Sequence, residues 1–226
     1  SFFDNVGKDT HRPFFLDKFN IDTSARFTEA HTGVLTKLMQ KILSKLTGEY
    51  GFYQKESYVS PVIEEIRKQY TLKNPLSSAS QSIADQITST VHGVSIHIRR
   101  GDYVQVAKTA AHHGSCDIGY YQTSIDYIKT HIDTPMFFIF SDDIDWVKSN
   151  LNIEHAVYVS NPSIPDYEEL ILMSICQHNI IANSTFSWWA AYLNQYTQKI
   201  VIAPKQWTVK QTSDELGILP KSWIQM

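Results

Sequence analysis

Apolar residues in the second half of the chain gather in short runs at 94–98, 136–140, 156–159, 179–182 and 200–203. The run Met136–Phe140 is unbroken, the mark of a strand buried on both faces. Between the runs the apolar positions return at helical spacing. Tyr121, Ile125 and Ile128 share one face of a helix over 120–132, and further helices are predicted at 143–151, 165–176 and 186–194. Pro165 suits a helix start, with Asp166, Glu168 and Glu169 near the positive end of the helix dipole. Ser184 or Thr185 is placed to cap the helix that follows. Short strands alternating with helices are βαβ units and predict an α/β fold with a mostly parallel sheet. The first half is less regular. It predicts an amphipathic helix over 32–46 (Leu35, Leu38, Met39, Ile42, Leu46), a helix over 62–70 and a serine-rich loop over 74–82. The pattern divides the chain into a lobe at 1–80 and a nucleotide-type lobe at 81–226.

Ligands of an open parallel sheet bind outside the carboxyl ends of its strands, and the polar punctuation falls at those ends. Residues 94–98 lead into Arg99, Arg100, Gly101 and Asp102; 136–140 into Ser141, Asp142 and Asp143; 179–182 into Asn183, Ser184, Thr185, Phe186 and Ser187; 200–203 into Pro204, Lys205, Gln206 and Trp207. Paired arginines grip a diphosphate through forked, charge-assisted bonds. A carboxylate accepts from a base edge or a ribose hydroxyl. A helix start rich in hydroxyls is a ready anion site. Structural readings stand beside these: Arg99 and Arg100 paired with Asp102 and another carboxylate, Asp142 and Asp143 capping a helix, Trp188 and Trp189 in the core, and His97 as a satisfied core histidine. What favours a site is that the signals share one edge of the sheet.

The chain has 226 residues and a formal net charge of -3, which argues against a general nucleic-acid binder and leaves room for a small anionic ligand held by local cations. Its two cysteines, Cys116 and Cys176, suggest a reduced cytosolic protein rather than a disulfide scaffold. His112, His113 and Cys116 lie close together, but no second ligand cluster accompanies them, and no metal site is expected. No apolar run is long enough to span a bilayer, and no signal peptide is visible. The first residue is not methionine, as in a sequence entered part-way. Lys37, Lys41 and Lys45 repeat every four residues on the predicted helix; a solvated face is the simpler reading than contact with anionic lipid.

The segments H-I-R-R-G-D-Y (97–103), F-S-D-D-I-D-W (140–146) and I-I-A-N-S-T-F-S-W-W-A-A-Y-L-N (180–194) resemble the hallmark segments of bacterial α-1,2-fucosyltransferases, glycosyltransferase family 11. H-G-S-C (113–116) followed by Tyr120 and Tyr121, G-F-Y-Q-K-E-S-Y (51–58), E-E-L-I-L-M-S (168–174) and V-I-A-P-K-Q-W (201–207) are similar to further segments of that family. The resemblance runs in order over nearly the whole chain. It implies a GT-B-like arrangement of two Rossmann-type lobes, with residues 1–80 as a partial acceptor-side lobe and residues 81–226 as the GDP-fucose lobe. It also implies inverting, metal-independent transfer of L-fucose from GDP-β-L-fucose to the 2-hydroxyl of a terminal galactose, on an acceptor such as lactose or a lipid-linked glycan. The expected setting is surface-polysaccharide synthesis in the cytoplasm, peripheral to the inner membrane.

Carried onto this sequence, Arg99 holds the β-phosphate, while Arg100 and Asp102 shape the loop or pair with each other. Asp142 and Asp143 face guanosine; Ser184, Thr185 and Phe186 line the diphosphate or fucose. His97, Ser141, Asn183 and Ser187 complete the expected donor site, and Arg99 and Asp102 are the expected catalytic pair. The glycine-rich loop with which the family normally opens is missing, so a strand–loop–helix unit is expected to precede Ser1, and a loop to have been dropped near Thr47 to Gly51. The base that takes the acceptor's proton is left among Asp102, Asp17, Glu56 and His113. Three other functions compete: a fucosyltransferase of another linkage, a catalytically silent nucleotide-sugar-binding module, and adhesion through Arg100-Gly101-Asp102, which a tripeptide following a buried strand does not suit.

Overall fold

The computed structural model of the protein describes residues 16–21 and 55–226. The chain divides into two compact units, Ser1–Pro75 and Leu76–Met226. In the first, a 3-10 turn (Leu16–Lys18) precedes Phe19, whose ring lies 5.3 Å from that of Tyr70 and whose backbone bridges Leu72. Helices α1 (Glu56–Val59) and α2 (Ile63–Gln69) follow, joined by a 3-10 turn (Ser60–Val62). The second matches the helix expected at 62–70. The helix expected at 32–46, the loop near Thr47 to Gly51 and the start of segment 51–58 lie outside the described residues.

The second unit is built on one sheet of six parallel strands: β1 (Gly93–Ile98), β2 (Met136–Ser141), β3 (Ala156–Tyr158), β4 (His178–Ile180), β5 (Val201–Ala203) and β6 (Ile224–Gln225). Their order across the sheet is β3-β2-β1-β4-β5-β6, so the chain steps outward from β1 to β3, then returns to the other side of β1 and steps outward again. This is a Rossmann-like sheet, and its order reverses between β1 and β4, where ligands of such sheets bind. Every residue of β1 is buried, as a central parallel strand covered on both faces requires. Val94, Ile96 and Ile98 meet Phe137 and Ile139 of β2, Ile180 of β4 and Ile202 of β5 in one apolar cluster.

The helices are α3 (Ser78–Ser89), α4 (Gly101–Gln105), α5 (Ala107–His113), α6 (Ile118–His131), α7 (Ile144–Asn150), α8 (Asp166–Ile175), α9 (Thr185–Leu193) and α10 (Ser213–Leu216). Helices α6 to α9 match the sequence periodicity. Helix α3 corrects the serine-rich loop expected at 74–82. Its buried face is Ser80, Ala84 and Ile87, and it packs on α8, where Glu168 takes hydrogen bonds from the Ser77 hydroxyl (2.7 Å) and backbone N–H (3.2 Å). Small residues build this contact, so it leaves little apolar periodicity to read. Trp188 lies in the core, stacked on Tyr192 at 4.5 Å and donating its indole N–H to the Ile218 carbonyl at 2.8 Å.

Candidate functional site

The carboxyl ends of β1, β2 and β4 carry the predicted residues to one rim. After Ile98 the chain turns at once from strand to helix. The turn is held by Asp142, which leaves the end of β2 and accepts the Arg100 backbone N–H at 2.8 Å. Gly101 is required by this approach: a Cβ there would stand 2.4 Å from Asp142 Oδ2. The same Oδ2 lies 2.9 Å from Arg99 Nη1, while Arg99 Nη2 donates to Asp102 Oδ1 at 2.5 Å. The Arg99 guanidinium is thus fixed between two carboxylates, about a quarter exposed, with the Tyr103 ring 5.5 Å away. Arg100 points elsewhere. Its Nε lies 3.1 Å from Asp143 Oδ2, and its guanidinium stacks 3.6 Å above the Trp146 ring. Asp143 in turn caps α7 by accepting from the Trp146 backbone N–H. Of the two roles expected for Arg100 and Asp102, shaping the loop or pairing with each other, the pairing is not formed: Arg99 pairs with Asp102 and Asp142, and Arg100 with Asp143, as in the structural reading of the arginines held by Asp102 and another carboxylate. The tripeptide Arg100-Gly101-Asp102 is a strand-to-helix corner with its aspartate in an ion pair.

Two buried titratable groups flank the arginines. His97 is driven down to a pKa of about 3 by burial and then by the Arg99 charge, so its ring is neutral at physiological pH. Its Nδ1 has no hydrogen-bond partner, and its ring centroid lies 5.4 Å from that of Phe186 on α9. Glu169, on the first turn of α8, is pushed up to about 7 by burial, with the Asp166 and Asp142 charges adding to the rise and a hydrogen bond to Ser160 opposing it. Ser141 keeps the end of β2 in order: its backbone N–H donates to the Ser160 hydroxyl at 2.9 Å, and its own hydroxyl accepts from the Asp143 N–H at 3.0 Å.

At the end of β4, Asn183 acts as a clamp. Its side-chain amide donates to the carbonyls of His113 (3.0 Å), Trp207 (3.1 Å) and Gly114 (3.3 Å), while its Oδ1 accepts from the Cys116 thiol at 3.6 Å. Burial lifts that thiol to a pKa of about 11, which keeps it neutral and a donor. Ser184 stands at the N-cap of α9 but makes no side-chain capping bond, unlike Asp117 and Asp143 at the starts of α6 and α7. The first backbone bond of the helix is Trp188 N–H to the Ser184 carbonyl at 3.0 Å, so the amides before it carry no bond from a capping side chain. Tyrosine hydroxyls fix the strand ends around this opening: Tyr103 donates to Asn183 O, Tyr120 to Ile181 O and Tyr121 to His97 O.

Compared with known families, residues 25–226 match the pattern of Glycosyl transferase family 11. The chain belongs to that family. It is similar to an alpha-1,2-colitosyltransferase of Escherichia coli, 30% identical over 248 aligned positions that take in 96% of this chain and 84% of that protein. It is also similar to the O-antigen biosynthesis glycosyltransferase WbnK of Escherichia coli, 37% identical over 142 positions, 62% of this chain and 46% of the other. Human galactoside alpha-(1,2)-fucosyltransferase 1 is 28% identical over 139 positions, 58% of this chain and 38% of the other. The chain thus spans less than half the length of the last two. No solved structure matches it.

In this family 11 glycosyltransferase the predicted residues fall into distinct groups. Arg99 and the segment Ser184 to Ser187 stand at the ends of the neighbouring strands β1 and β4, with His97 between them. Asp102, Asp142, Asp143, Arg100 and Asn183 have their side chains engaged by the protein itself and position the others. Of the candidate bases, Asp102 is held by Arg99, and the His113 ring stacks on Tyr103 at 4.7 Å. Asp17, paired with Lys18 at 3.1 Å, and Glu56, at the start of α1, belong to the first unit. Sequence reading placed Glu169, Tyr103 and Cys116 in segments that resemble the family but assigned them no part in the site. Nothing in the spacing of Glu169 separated it from the other acids at the positive end of α8. Among the described residues, no group of three or more His, Cys, Asp or Glu side chains could hold a metal ion, and no helix is long and apolar enough to cross a membrane.

Proposed function

We propose that the protein is an inverting α-1,2-fucosyltransferase that moves L-fucose from GDP-β-L-fucose to the 2-hydroxyl of a terminal galactose without requiring a metal. One observation carries the reading: the Arg99 guanidinium, fixed by two carboxylates after the end of β1, and the uncapped start of α9, after the end of β4, follow the two neighbouring strands between which the strand order reverses. A cation and a row of backbone donors at that point suit a diphosphate. As the C1–O bond of the donor breaks, negative charge grows on the β-phosphate. Arg99 and the amides of Ser184 to Ser187 stabilise that charge, and the galactose hydroxyl attacks C1 from the opposite face. The departing phosphate is the one proton acceptor the reading itself supplies. Ser141, Asp142, Asp143 and Arg100 hold the loop and the arginines. A guanosine contact by Asp142 or Asp143 has to share carboxylates already bound to arginines.

The names of the relatives support the linkage and the sugar class, since human galactoside alpha-(1,2)-fucosyltransferase 1 is among them. The setting we propose, synthesis of a lipid-linked surface polysaccharide at the inner membrane by a two-lobed GT-B enzyme, rests on the O-antigen relative and on the two-unit chain. In this reading residues 1–80 belong to the acceptor-side lobe and 81–226 hold the donor. A second reading is favoured by the similarity over 96% of the chain to an alpha-1,2-colitosyltransferase: the donor sugar is colitose, which lacks the 3-hydroxyl of L-fucose.

The test offers the full-length protein GDP-fucose or GDP-colitose with lactose, with and without EDTA, and reads the product by mass spectrometry and linkage NMR. An EDTA-insensitive α-1,2 fucoside is expected. Preference for colitose selects the second reading, and the absence of turnover with either donor selects a binding module. Arg99→Lys, which loses the forked donor, is expected to lower kcat about a hundredfold or more. Near-normal turnover would remove Arg99 from the phosphate.

A further inference from the structure

Beside the arginine rim, and wholly within the second unit, the structure holds a cleft of about 860 Å³. Gly114 to Asp117 form one wall, Thr123 on α6 another, and Pro204 to Gln206, at the end of β5, the third. It is continuous with the site through Asn183, which lines the cleft and directly precedes Ser184. His113 also lines it, and its ring stacks at 4.7 Å on Tyr103, whose own ring lies 5.5 Å from the Arg99 guanidinium. The cleft therefore adjoins the arginine corner through Asn183, His113 and Tyr103. Its walls are tied together by hydrogen bonds. Asn183 ties both the 113–114 carbonyls and the Trp207 carbonyl, Val209 N–H donates to His112 O at 3.0 Å, and Gly114 takes a positive φ of 64° to turn the wall.

We propose that this cleft seats the acceptor saccharide, a neutral galactose-terminated glycan; the inference rests on the glycosyl-transfer reading above. The polar groups on its rim are of mixed kind. The Asp117 carboxylate, the Thr123 hydroxyl, the Lys205 ammonium and the Gln206 amide, whose N–H already donates to Thr208 O, offer both acceptors and donors with no net charge of one sign. Sugar hydroxyls need that mixture, whereas a phosphate needs cations alone. The remaining lining includes Pro204, the Tyr120 ring, Val209 and Met226, apolar surface for the C–H face of a pyranose. The resemblance to family 11 gave the acceptor to residues 1–80; the cleft adds a saccharide wall from the lobe that holds the donor.

Thr123 is exposed on α6, so a large side chain there fills the cleft without entering the core. The experiment uses the full-length protein with GDP present and reads lactose binding by saturation-transfer-difference NMR, for the wild type, Thr123→Trp and Lys205→Met. GDP affinity is measured alongside by calorimetry, and folding by thermal melting. The expected result is loss of the lactose signal by tenfold or more in Thr123→Trp and a smaller loss in Lys205→Met, with GDP affinity within twofold of wild type and an unchanged melting profile. Wild-type lactose binding that survives Thr123→Trp overturns the inference. So does a parallel fall in GDP affinity, which would give the cleft to the nucleotide, or a wild type that binds no lactose. Because binding is read without turnover, failure of the fucosyl-transfer reading shows separately, as absence of product in the donor assay.

Discussion

Glu169→Gln isolates one buried carboxyl. Glu169 is 9% exposed, and its pKa rises from the ordinary 4.5 to about 7, mainly through burial. In the unfolded chain the group loses its proton near 4.5; in the folded protein it holds it to about 7. Between those values the folded state binds the extra proton, so stability is fully present below pH 4.5 and falls as pH rises through the folded pKa. The difference corresponds to on the order of 3 kcal/mol. Gln keeps the shape and a hydrogen-bonding end and has nothing to ionise. Urea denaturation at half-unit steps from pH 4.5 to 8, fitted with a common m-value, gives the difference between variant and wild type. Taking the difference cancels His97 and His178, whose lowered pKa values of about 3 and about 4 make stability fall as pH drops below 6.5. The variant is expected to gain on wild type through this window, reaching on the order of 3 kcal/mol by pH 8. Parallel profiles would refute the reasoning, because they would mean that the buried environment of Glu169 leaves its charge uncosted.

Gly101→Ala forces a Cβ to within 2.4 Å of Asp142 Oδ2, and is expected to cost about 1–3 kcal/mol in urea denaturation and to lower turnover beyond that loss, because the displaced carboxylate orients Arg99. Asn183→Ala strands the His113, Gly114 and Trp207 carbonyls; a stability loss of about 2–4 kcal/mol is expected, together with faster hydrogen exchange at 113–116, and exchange equal to wild type would contradict the clamp.

The strand ends were legible because β1 and β2 are unbroken apolar runs and the residues after them are abruptly polar. The sheet needs those runs buried on both faces, and the sequence has no other use for them. Helix α3 escaped notice because its packing face is Ser80, Ala84 and Ile87, and the hydrogen bonds from Ser77 to Glu168 join residues far apart in sequence. Two-residue β6 carries too little pattern to register. At the rim, the residue types and their shared edge could be read, but the division of labour could not. Arg99 does pair with the nearby Asp102, as local spacing allows, but its second partner Asp142 and the Arg100 partner Asp143 both arrive from β2, which the local sequence around the arginines does not show. The buried state of Glu169 depends on the packing of α8, which an amphipathic pattern does not specify.

The reversal of strand order between β1 and β4 also bears on how the protein is made. β1 is the first strand of the sheet to leave the ribosome and ends at its centre, where Ser95 waits for Asn179, 84 residues later, to close its second edge. Until then a six-residue apolar strand shows an unpaired ladder of N–H and C=O groups, the template on which chains add to one another. A chain stopped anywhere between β3 and β4 holds β1 with one neighbour only. Truncations that end before residues 178–180 are therefore expected in the insoluble fraction even though they retain most of the arginine corner.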